Sequence, residues 1–411
     1  MIIEDIKEGY KKTKLGWIPE DWECVTIGDY YEFKNGLNKG SEYFGHGTSI
    51  INYKDVYSLN HIYRKKIHGL VDVNESERKR YSTKKADLFF TRTSETVDEI
   101  GLASVLLDDI PNGVFSGFVL RARPLNEDIF PSFAGFCFRS EIVRKEIIKK
   151  STYTTRALTN GSYLSEVYFA LPPINEQKAI ANCLSTWDKA IEKQEALLKA
   201  KQQVKQGLMQ QLLSGKKRLP GFTEEWKKVV AGKIFKSISI KNKPNHELLS
   251  VTQDRGVIPR DMLDGRVTMP SGNLNTFKLV KKGNFVISLR SFQGGLEYSN
   301  YDGLVSPAYT VLEEISNINR DFYKYYFKSY EFIERLSTAV IGIRDGKQIS
   351  YNDFCIVKIP SISVKEQKAI ANVLNTADKE LEVLNNQLHK LKEQKKGLMQ
   401  QLLTGKKRLK F

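Results

Sequence analysis

The chain has 411 residues, 41% of them hydrophobic and 27% charged, and a formal charge of +16 at pH 7. That length supports two substantial cores, the absence of any run of about 18 apolar residues argues against a membrane partner, and the acidic start MIIEDIKEGY is no signal peptide, so a cytoplasmic location is expected. The basic excess is spread over residues 64–66, 78–80, 84–85, 149–150, 227–228 and 281–282 instead of being gathered in a tail, which points to a polyanionic partner and first of all to nucleic acid.

From the amino terminus, short runs rich in β-branched and aromatic residues predict strands at 25–33, 49–53, 88–91, 103–107 and 114–122, then a helical stretch at 132–149. Pro172 and Pro173 precede a long helix that runs unbroken to Leu213, with Gly215 as its terminator. A second module predicts strands at 247–252, 285–289 and 308–312 and a helical stretch at 320–336. After Pro360, Ser363 and Glu366 stand at capping-box spacing and begin a second long helix, ended by Gly405. Each module reads as an α/β unit with a twisted mixed sheet. Phe133, Phe136 and Phe138, and the matching Phe322, Tyr325 and Phe327, are read as core and not as base-stacking groups. The boundaries are 1–170 for the first module, 171–215 for the first long helix, 216–359 for the second module and 360–411 for the second long helix and tail.

The chain is built twice. Residues 176–219 recur at 366–409 without a gap and with 26 of 44 positions identical; EQKAIAN opens both copies, and GLMQQLL, then Ser or Thr, then GKKRL closes both. This spacing is too wide for a solenoid, whose repeats come every 20 to 50 residues or so. Weaker matches extend into the modules: Glu20, Asp21, Trp22 and Gly28 with Glu224, Glu225, Trp226 and Gly232, and Lys84, Lys85 and Ser94 with Lys281, Lys282 and Ser291. Arg156, Ser162, Tyr163 and Pro172 likewise match Arg344, Ser350, Tyr351 and Pro360.

The helical repeat carries a heptad seam. In the second helix Ile370, Leu374, Ala377, Leu381, Leu384, Leu388, Leu391, Lys395, Leu398 and Leu402 follow coiled-coil spacing; in the first, Ile180, Leu184, Trp187, Ile191, Gln194, Leu198, Lys201, Lys205, Leu208 and Leu212 do so but weaken toward the middle. The two are natural partners, and about 38 residues make each roughly 57 Å long. Antiparallel pairing would create a pseudo-twofold axis. The likeness of the terminal GKKRLKF to the GKKRLPGF ahead of the second module further predicts a cyclic organisation with neighbouring termini.

Arg or Lys bidentate to guanine, and Asn or Gln bidentate to adenine, distinguish base pairs in the major groove. Polar loops beside the matched strands offer such groups. In the first module the candidates are Lys54, Arg92, Thr93, Ser94 and Arg156; in the second they are Gln253, Arg255, Arg290, Ser291, Gln293, Arg344 and Lys347. Half or more of protein–DNA hydrogen bonds go to the backbone, so the set is expected to mix phosphate-positioning with base-reading groups.

Catalytic signatures are missing: there is no Walker A loop, no GxGxxG after a strand, no HExxH, no serine or cysteine triad, and no DPPY or NPPF segment. The five histidines form no cluster, and Cys24, Cys137, Cys183 and Cys355 lie far apart without a CxxC, so buried free thiols are expected and a metal is not. ExK triplets at Glu176, Glu366 and Glu393 fall on the long helices and are read as solvated faces, not nuclease residues. The chain is expected to bind and position, not to catalyse; a non-specific nucleic-acid-binding scaffold is the alternative.

Two variable modules alternating with near-identical helices, each begun by a PPxxEQKAIA-like segment and ended by GLMQQLLxGKKRL, resemble the specificity subunit of type I restriction-modification systems. The resemblance covers the whole chain; residues 171–181 and 359–371 look like the family's helix starts and 207–219 and 397–409 like its helix ends, although PSISVKEQ is two residues longer than PPINEQ. It implies two target-recognition domains with mixed β-sheets, joined by two long antiparallel coiled-coil helices in a pseudo-twofold cyclic arrangement. Each domain would read one half of a bipartite, asymmetric site in double-stranded DNA. The helices would fix the unread spacer and dock two modification subunits. By the same resemblance this chain holds no cofactor: S-adenosylmethionine, ATP and Mg belong to the modification and restriction subunits.

Overall fold

A computed structural model describes residues 8–263, 274–289, 291–339 and 349–409. They fall into two compact units, one made of Met1–Gln194 with Gln387–Phe411 and the other of Glu195–Asn386. Each unit contains one module and half of each long helix.

The first unit is organised by a five-stranded sheet in the order Tyr31–Asn35, Val119–Pro124, Leu88–Thr91, Ala103–Leu106, His61–Ile62. The first four strands pair antiparallel, with Leu120 opposite both Asn35 and Phe90, and the fifth is parallel, with His61 opposite Val105. Leu88–Thr91 is buried at every position, as a continuous apolar run covered on both faces should be. Leu88 and Phe90 pack with Phe133, Phe136, Phe138 and the helix residues Ile180 and Leu184, while Phe89 packs with Ile51, Val56 and Phe115 on the other side.

The second unit repeats this plan. Its sheet runs Phe235–Ile238, Thr310–Glu314, Phe285–Ile287, Glu297–Tyr298, all antiparallel. Phe285 and Ile287 face Phe322, Tyr323, Phe327, Ile370 and Leu374, and Val286 faces Leu249, Val257 and Val311. The expectation of a mixed sheet is met in the first unit, whose fifth strand supplies the parallel pair. The core reading of the two aromatic triplets also holds, since all six side chains are buried.

Each module closes before its helix starts. Glu23–Thr26 pairs with Tyr168–Leu171, and Lys227–Val230 with Lys358–Ser361, so the strand leading into each long helix is bonded to a strand near the start of its module. The helices then span Ile174–Leu213 and Val364–Leu402. Both stop just before a glycine in the left-handed region, Gly215 at φ +73° and Gly405 at φ +68°, where a side chain would be strained.

Within each unit the helix halves run antiparallel, because one partner's number falls as the other's climbs. In the first unit Asp188 meets Lys395 at 2.5 Å and Gln194 meets Gln387 at 3.3 Å. In the second, Asp378 meets Lys205 and Glu380 meets Lys201 at 2.6 Å. The lysines that interrupt the seam are therefore neutralised by the facing helix. The seam is buried at its ends (Ile180, Leu184, Leu212, Ile370, Leu374, Leu402) and only half-buried at Ile191, Leu198, Leu381 and Leu384.

Local structure departs from the expected runs where polar residues cap new elements. The predicted strand 25–33 is a strand, a helical turn Ile27–Tyr30 and a second strand, because Thr26 and Asp29 form a capping box. The run 49–53 is the end of strand Phe44–Ile51, followed by helix Tyr53–Ser58 with Asn52 as its cap. The run 114–122 is interrupted at Ser116 and Gly117, and the helical stretches 132–149 and 320–336 each divide, into Pro131–Cys137 with Glu141–Lys150 and Arg320–Tyr326 with Tyr330–Ala339. Cys137 is buried, and Cys24, Cys183 and Cys355 are half-buried.

Candidate nucleic-acid interface

The frame that holds each module is the Glu-Gln pair at the start of its long helix. Glu176 accepts from Trp22 Nε1 at 2.8 Å and from Arg408 Nε and Nη2 at 2.5 and 2.6 Å. Glu366 does the same with Trp226 Nε1 at 3.2 Å and Arg218 Nε and Nη2 at 2.7 and 2.9 Å. Both carboxylates are buried, which corrects their reading as solvated helix faces; Glu393 is exposed as expected. Ser363 keeps half of the anticipated capping box by accepting from Glu366 N at 3.3 Å, but the Glu366 carboxylate turns to Arg218.

The neighbouring glutamines tie the frame to the module. Gln177 accepts from Phe130 N at 2.8 Å and donates to the Asp128 and Pro172 carbonyls; Gln367 accepts from Asn319 N at 2.7 Å and donates to the Ile362 carbonyl. Hydrogen bonds to Asp21 and Glu176 raise the Arg408 pKa above its ordinary value, and the same contact lowers that of Asp21. A guanidinium held by two carboxylates, one of them fully buried, is a fixed structural charge.

Following directly on the sheet strand Leu88–Thr91 is a small three-stranded ribbon, Thr152–Tyr153, Ala157–Leu158 and Thr93–Ser94, with Leu158 opposite Thr93 and Ala157 opposite Ser94. Arg156 is exposed in its turn, and Thr159 N donates to the Arg92 carbonyl at 3.1 Å, so Arg92, Thr93 and Arg156 share one ribbon. Helix Tyr53–Ser58 presents Lys54 to solvent. Ser94 is buried instead of displayed: its hydroxyl accepts from Thr96 N at 3.2 Å.

Sequence reasoning missed the exposed aromatics here. Phe118 is 65% and Tyr153 58% exposed. Phe118 reaches the surface just after the backbones of Gly36 and Ser116 meet so closely that a Cβ on Gly36 would lie 2.1 Å from the Ser116 carbonyl oxygen. Tyr153, a lone ring in the polar run STYTTR, was the available signal. Glu95 and Asp98 are also exposed, so this edge is not uniformly basic.

In the second module hairpin Leu249–Thr252/Gly256–Pro259 carries Gln253 and Arg255 in its turn, both exposed, with Arg255 Nη1 on the Met262 carbonyl at 2.8 Å. Gln293 is exposed on the short helix Ser291–Gly294. Ser291 is a second correction: it is 1% exposed, and its hydroxyl accepts from Ser288 N at 2.8 Å. Arg290, Arg344 and Lys347 lie outside the described residues. Among the described residues no helix is long and apolar enough to cross a membrane, and no group of His, Cys, Asp or Glu could hold a metal ion.

Comparison with known proteins bears on the fold and the family. The family described as "Type I restriction modification DNA specificity domain" matches residues 19–200. A Methanocaldococcus jannaschii protein named as the MjaX specificity subunit of a type I restriction enzyme is 26% identical, covering 98% of both chains. The MjaVIII specificity subunit of the same organism is 23% identical over 98% of this chain and 97% of its own. Among solved structures, the S subunit of a type I restriction-modification system from M. genitalium has a TM-score of 0.53 at 17% identity, covering 93% of this chain and 96% of its own. A chain from the type I R-M system, solved to explain complex assembly and conformational transition, reaches 0.59 at 16% identity, covering 94% and 99%. These two structures share the fold.

Proposed function

This chain belongs to the specificity subunits of type I restriction-modification systems, and we propose that its two modules, 1–170 and 216–359, read the two halves of a split, asymmetric site in double-stranded DNA. In the first half the reading groups are Lys54, Arg92, Thr93 and Arg156, and in the second Gln253, Arg255 and Gln293, with Arg290, Arg344 and Lys347 as further candidates. The observation that carries this is unequal repetition. The Glu-Trp-Arg clamps, the glutamines beside them, the helices and the core aromatics recur in both units, while the surface loops that leave the sheets differ between modules. A sequence reader with a shared docking platform has reason to keep the one and vary the other; a non-specific scaffold has none.

The long helices set the unread spacer and dock two modification subunits, which bind S-adenosylmethionine and methylate adenine. Restriction subunits use ATP and Mg to translocate and cleave, and the assembly acts in the cytoplasm. Adenine must leave the stack to be methylated, so the DNA is held from both sides while the modules keep register. Exposed Phe118 and Tyr153 suit contact with a deformed duplex, and Glu95 and Asp98 suit acceptance from cytosine amino groups.

Methylome sequencing of cells carrying this chain with its modification subunit, against a deletion, is the test. A split motif of methylated adenines that vanishes on deletion is expected, and Arg92→Ala should relax one half of it only. Unchanged methylation together with equal affinity for all duplexes would favour the scaffold.

A further inference from the structure

We propose that Arg139 and Lys328 are positioning residues for half-site recognition, each gathering the backbone carbonyls of the loops that carry its own module's reading side chains. The proposal rests on the half-site reading above and adds residues that touch no base.

The two occupy one place in the repeated plan. Arg139 follows Phe138 and Lys328 follows Phe327, each just past the end of a matched helix, Pro131–Cys137 or Arg320–Tyr326. Arg139 Nη2 donates to the carbonyls of Val56 (2.5 Å), Tyr57 (3.0 Å) and Leu59 (2.7 Å), and its Nε to that of Ala103 at 2.5 Å. Val56 and Tyr57 close helix Tyr53–Ser58, whose last carbonyls have no partner inside the helix. A cation at that end satisfies them and suits the helix dipole. The helix so fixed is the one that carries Lys54, and its Tyr57 hydroxyl donates to Glu99 Oε1 at 2.7 Å beside the ribbon.

Lys328 makes the corresponding set with a single nitrogen. Its Nζ donates to the Gln253 carbonyl at 3.2 Å, the Gly294 carbonyl at 2.9 Å and Glu297 Oε1 at 2.6 Å. Gln253 is in the hairpin turn, and Gly294 ends the short helix that bears Gln293. One ammonium thus joins both candidate reading segments to the sheet. The sheet residues are matched too: Glu297 stands opposite Val286 as Ser104 stands opposite Phe89, and Ser104 Oγ donates to the Leu59 carbonyl at 2.5 Å.

Arg139 is costly to hold here: desolvation lowers its pKa to about 10, which leaves it charged. Lys328 is half-buried against Glu297, which is itself buried with one oxygen unbonded and its pKa raised by that burial. A packing role alone would be served more cheaply by an apolar side chain. What an apolar side chain cannot do is hold three or four carbonyls from separate segments at one point.

The test uses the full chain assembled with its modification subunits, methylating duplexes that carry the cognate site or a single base change in one half. Lys328→Met should lower discrimination in the second half about tenfold, comparable to losing one base contact, and leave the first half unchanged; Arg139→Met should do the reverse. The salt dependence of non-specific binding should not move, whereas a lost phosphate contact would reduce its slope by about 0.9. Discrimination intact in methionine variants that still methylate, equal loss in both halves, or a shallower slope would each overturn the proposal. Should the methionine variants not fold, Arg139→Lys keeps the charge but cannot span four carbonyls, and an intermediate, about threefold loss confined to the first half is expected. Full discrimination by that variant would equally overturn it. A wild-type complex indifferent to base changes in one half would sink the half-site reading itself, a result visible before any variant is made.

Discussion

The two clamps around Glu176 and Glu366 use the same three side-chain types in the same geometry, yet they bear different loads. In the second unit Arg218 and Trp226 sit on one short stretch of chain, so covalent connection already keeps them together. In the first, Trp22 stands near one end of the chain and Arg408 near the other, 387 residues beyond Asp21 to which it also bonds. Side chains alone close that ring. The second clamp closes a loop that is short in any case, while the first must offset the closure entropy of almost the entire chain.

The largest expected effect breaks this pairing directly. Glu176→Gln removes the fully buried carboxylate that holds Trp22 and Arg408; because Arg408 is 37% exposed and keeps Asp21, the cost is about 1.5–3 kcal/mol, the range for hydrogen bonds to a charged group. Residues 397–409 should then exchange amide hydrogens far faster, since no short stretch of chain ties Arg408 to Trp22 as one ties Arg218 to Trp226. Glu366→Gln removes the same interaction but should leave residues 207–219 better protected, because the chain continues into the strand Lys227–Val230. Equal exchange in the two segments would show that chain closure contributes nothing to the difference.

A smaller contrast lies on the helix seam. Lys395 bonds Asp188 and lies over the Phe136 ring, and Lys205 bonds Asp378 and lies over the Tyr325 ring. The added hydroxyl matters: Tyr325 donates to Asp378 Oδ2 at 2.6 Å, with Asn375 Oδ1 also within 2.8 Å, which phenylalanine in the first unit cannot do. Lys395→Met should therefore destabilise its unit by about 1 kcal/mol, and Lys205→Met by less, since Asp378 keeps the tyrosine. Adding Tyr325→Phe to Lys205→Met should bring the two units level, as a denaturant double-mutant cycle would show. A cycle in which Tyr325→Phe has the same effect with and without Lys205 would deny the coupling.

Why the frame's role was invisible in sequence, while its outline was plain, follows from where each signal resides. The duplication, the helix ends at Gly215 and Gly405 and the buried aromatic triplets are local patterns, and the structure reproduces them. Glu176 looked like any helix-surface glutamate because the partner that buries it, Arg408, is 232 residues away. Ser94 and Ser291 stood in polar loops beside strands, and nothing nearby shows that their hydroxyls turn inward to backbone amides. The positioning cations are harder still, since Arg139 and Lys328 act on carbonyls, which every residue has. Only a fold places four of them around one guanidinium.

The smallest effect sharpens the comparison at one carboxylate. Arg408 Nη1 and Nη2 reach Asp21 at 2.9 and 2.7 Å, whereas Arg218 Nη1 goes to the Glu224 carbonyl at 2.7 Å, a group that does not titrate. The open ring thus has an extra ion pair where the closed one has a backbone bond. The hydrogen bond from Arg408 lowers the Asp21 pKa below its ordinary 3.8. Its contribution is therefore complete above pH 3.8 and is lost as the pH falls through the lower, folded value, because the unfolded chain takes up the proton first. Asp21 is half-exposed, so at neutral pH Asp21→Asn should cost only about 0.2–1 kcal/mol, a few-fold rise in the opening of residues 397–409. Followed by hydrogen exchange toward acid, wild type and Asp21→Asn should converge in that segment below pH 3.8, while residues 207–219 show no such step. A gap that stays constant into acid would assign the difference to lost packing and not to the ion pair.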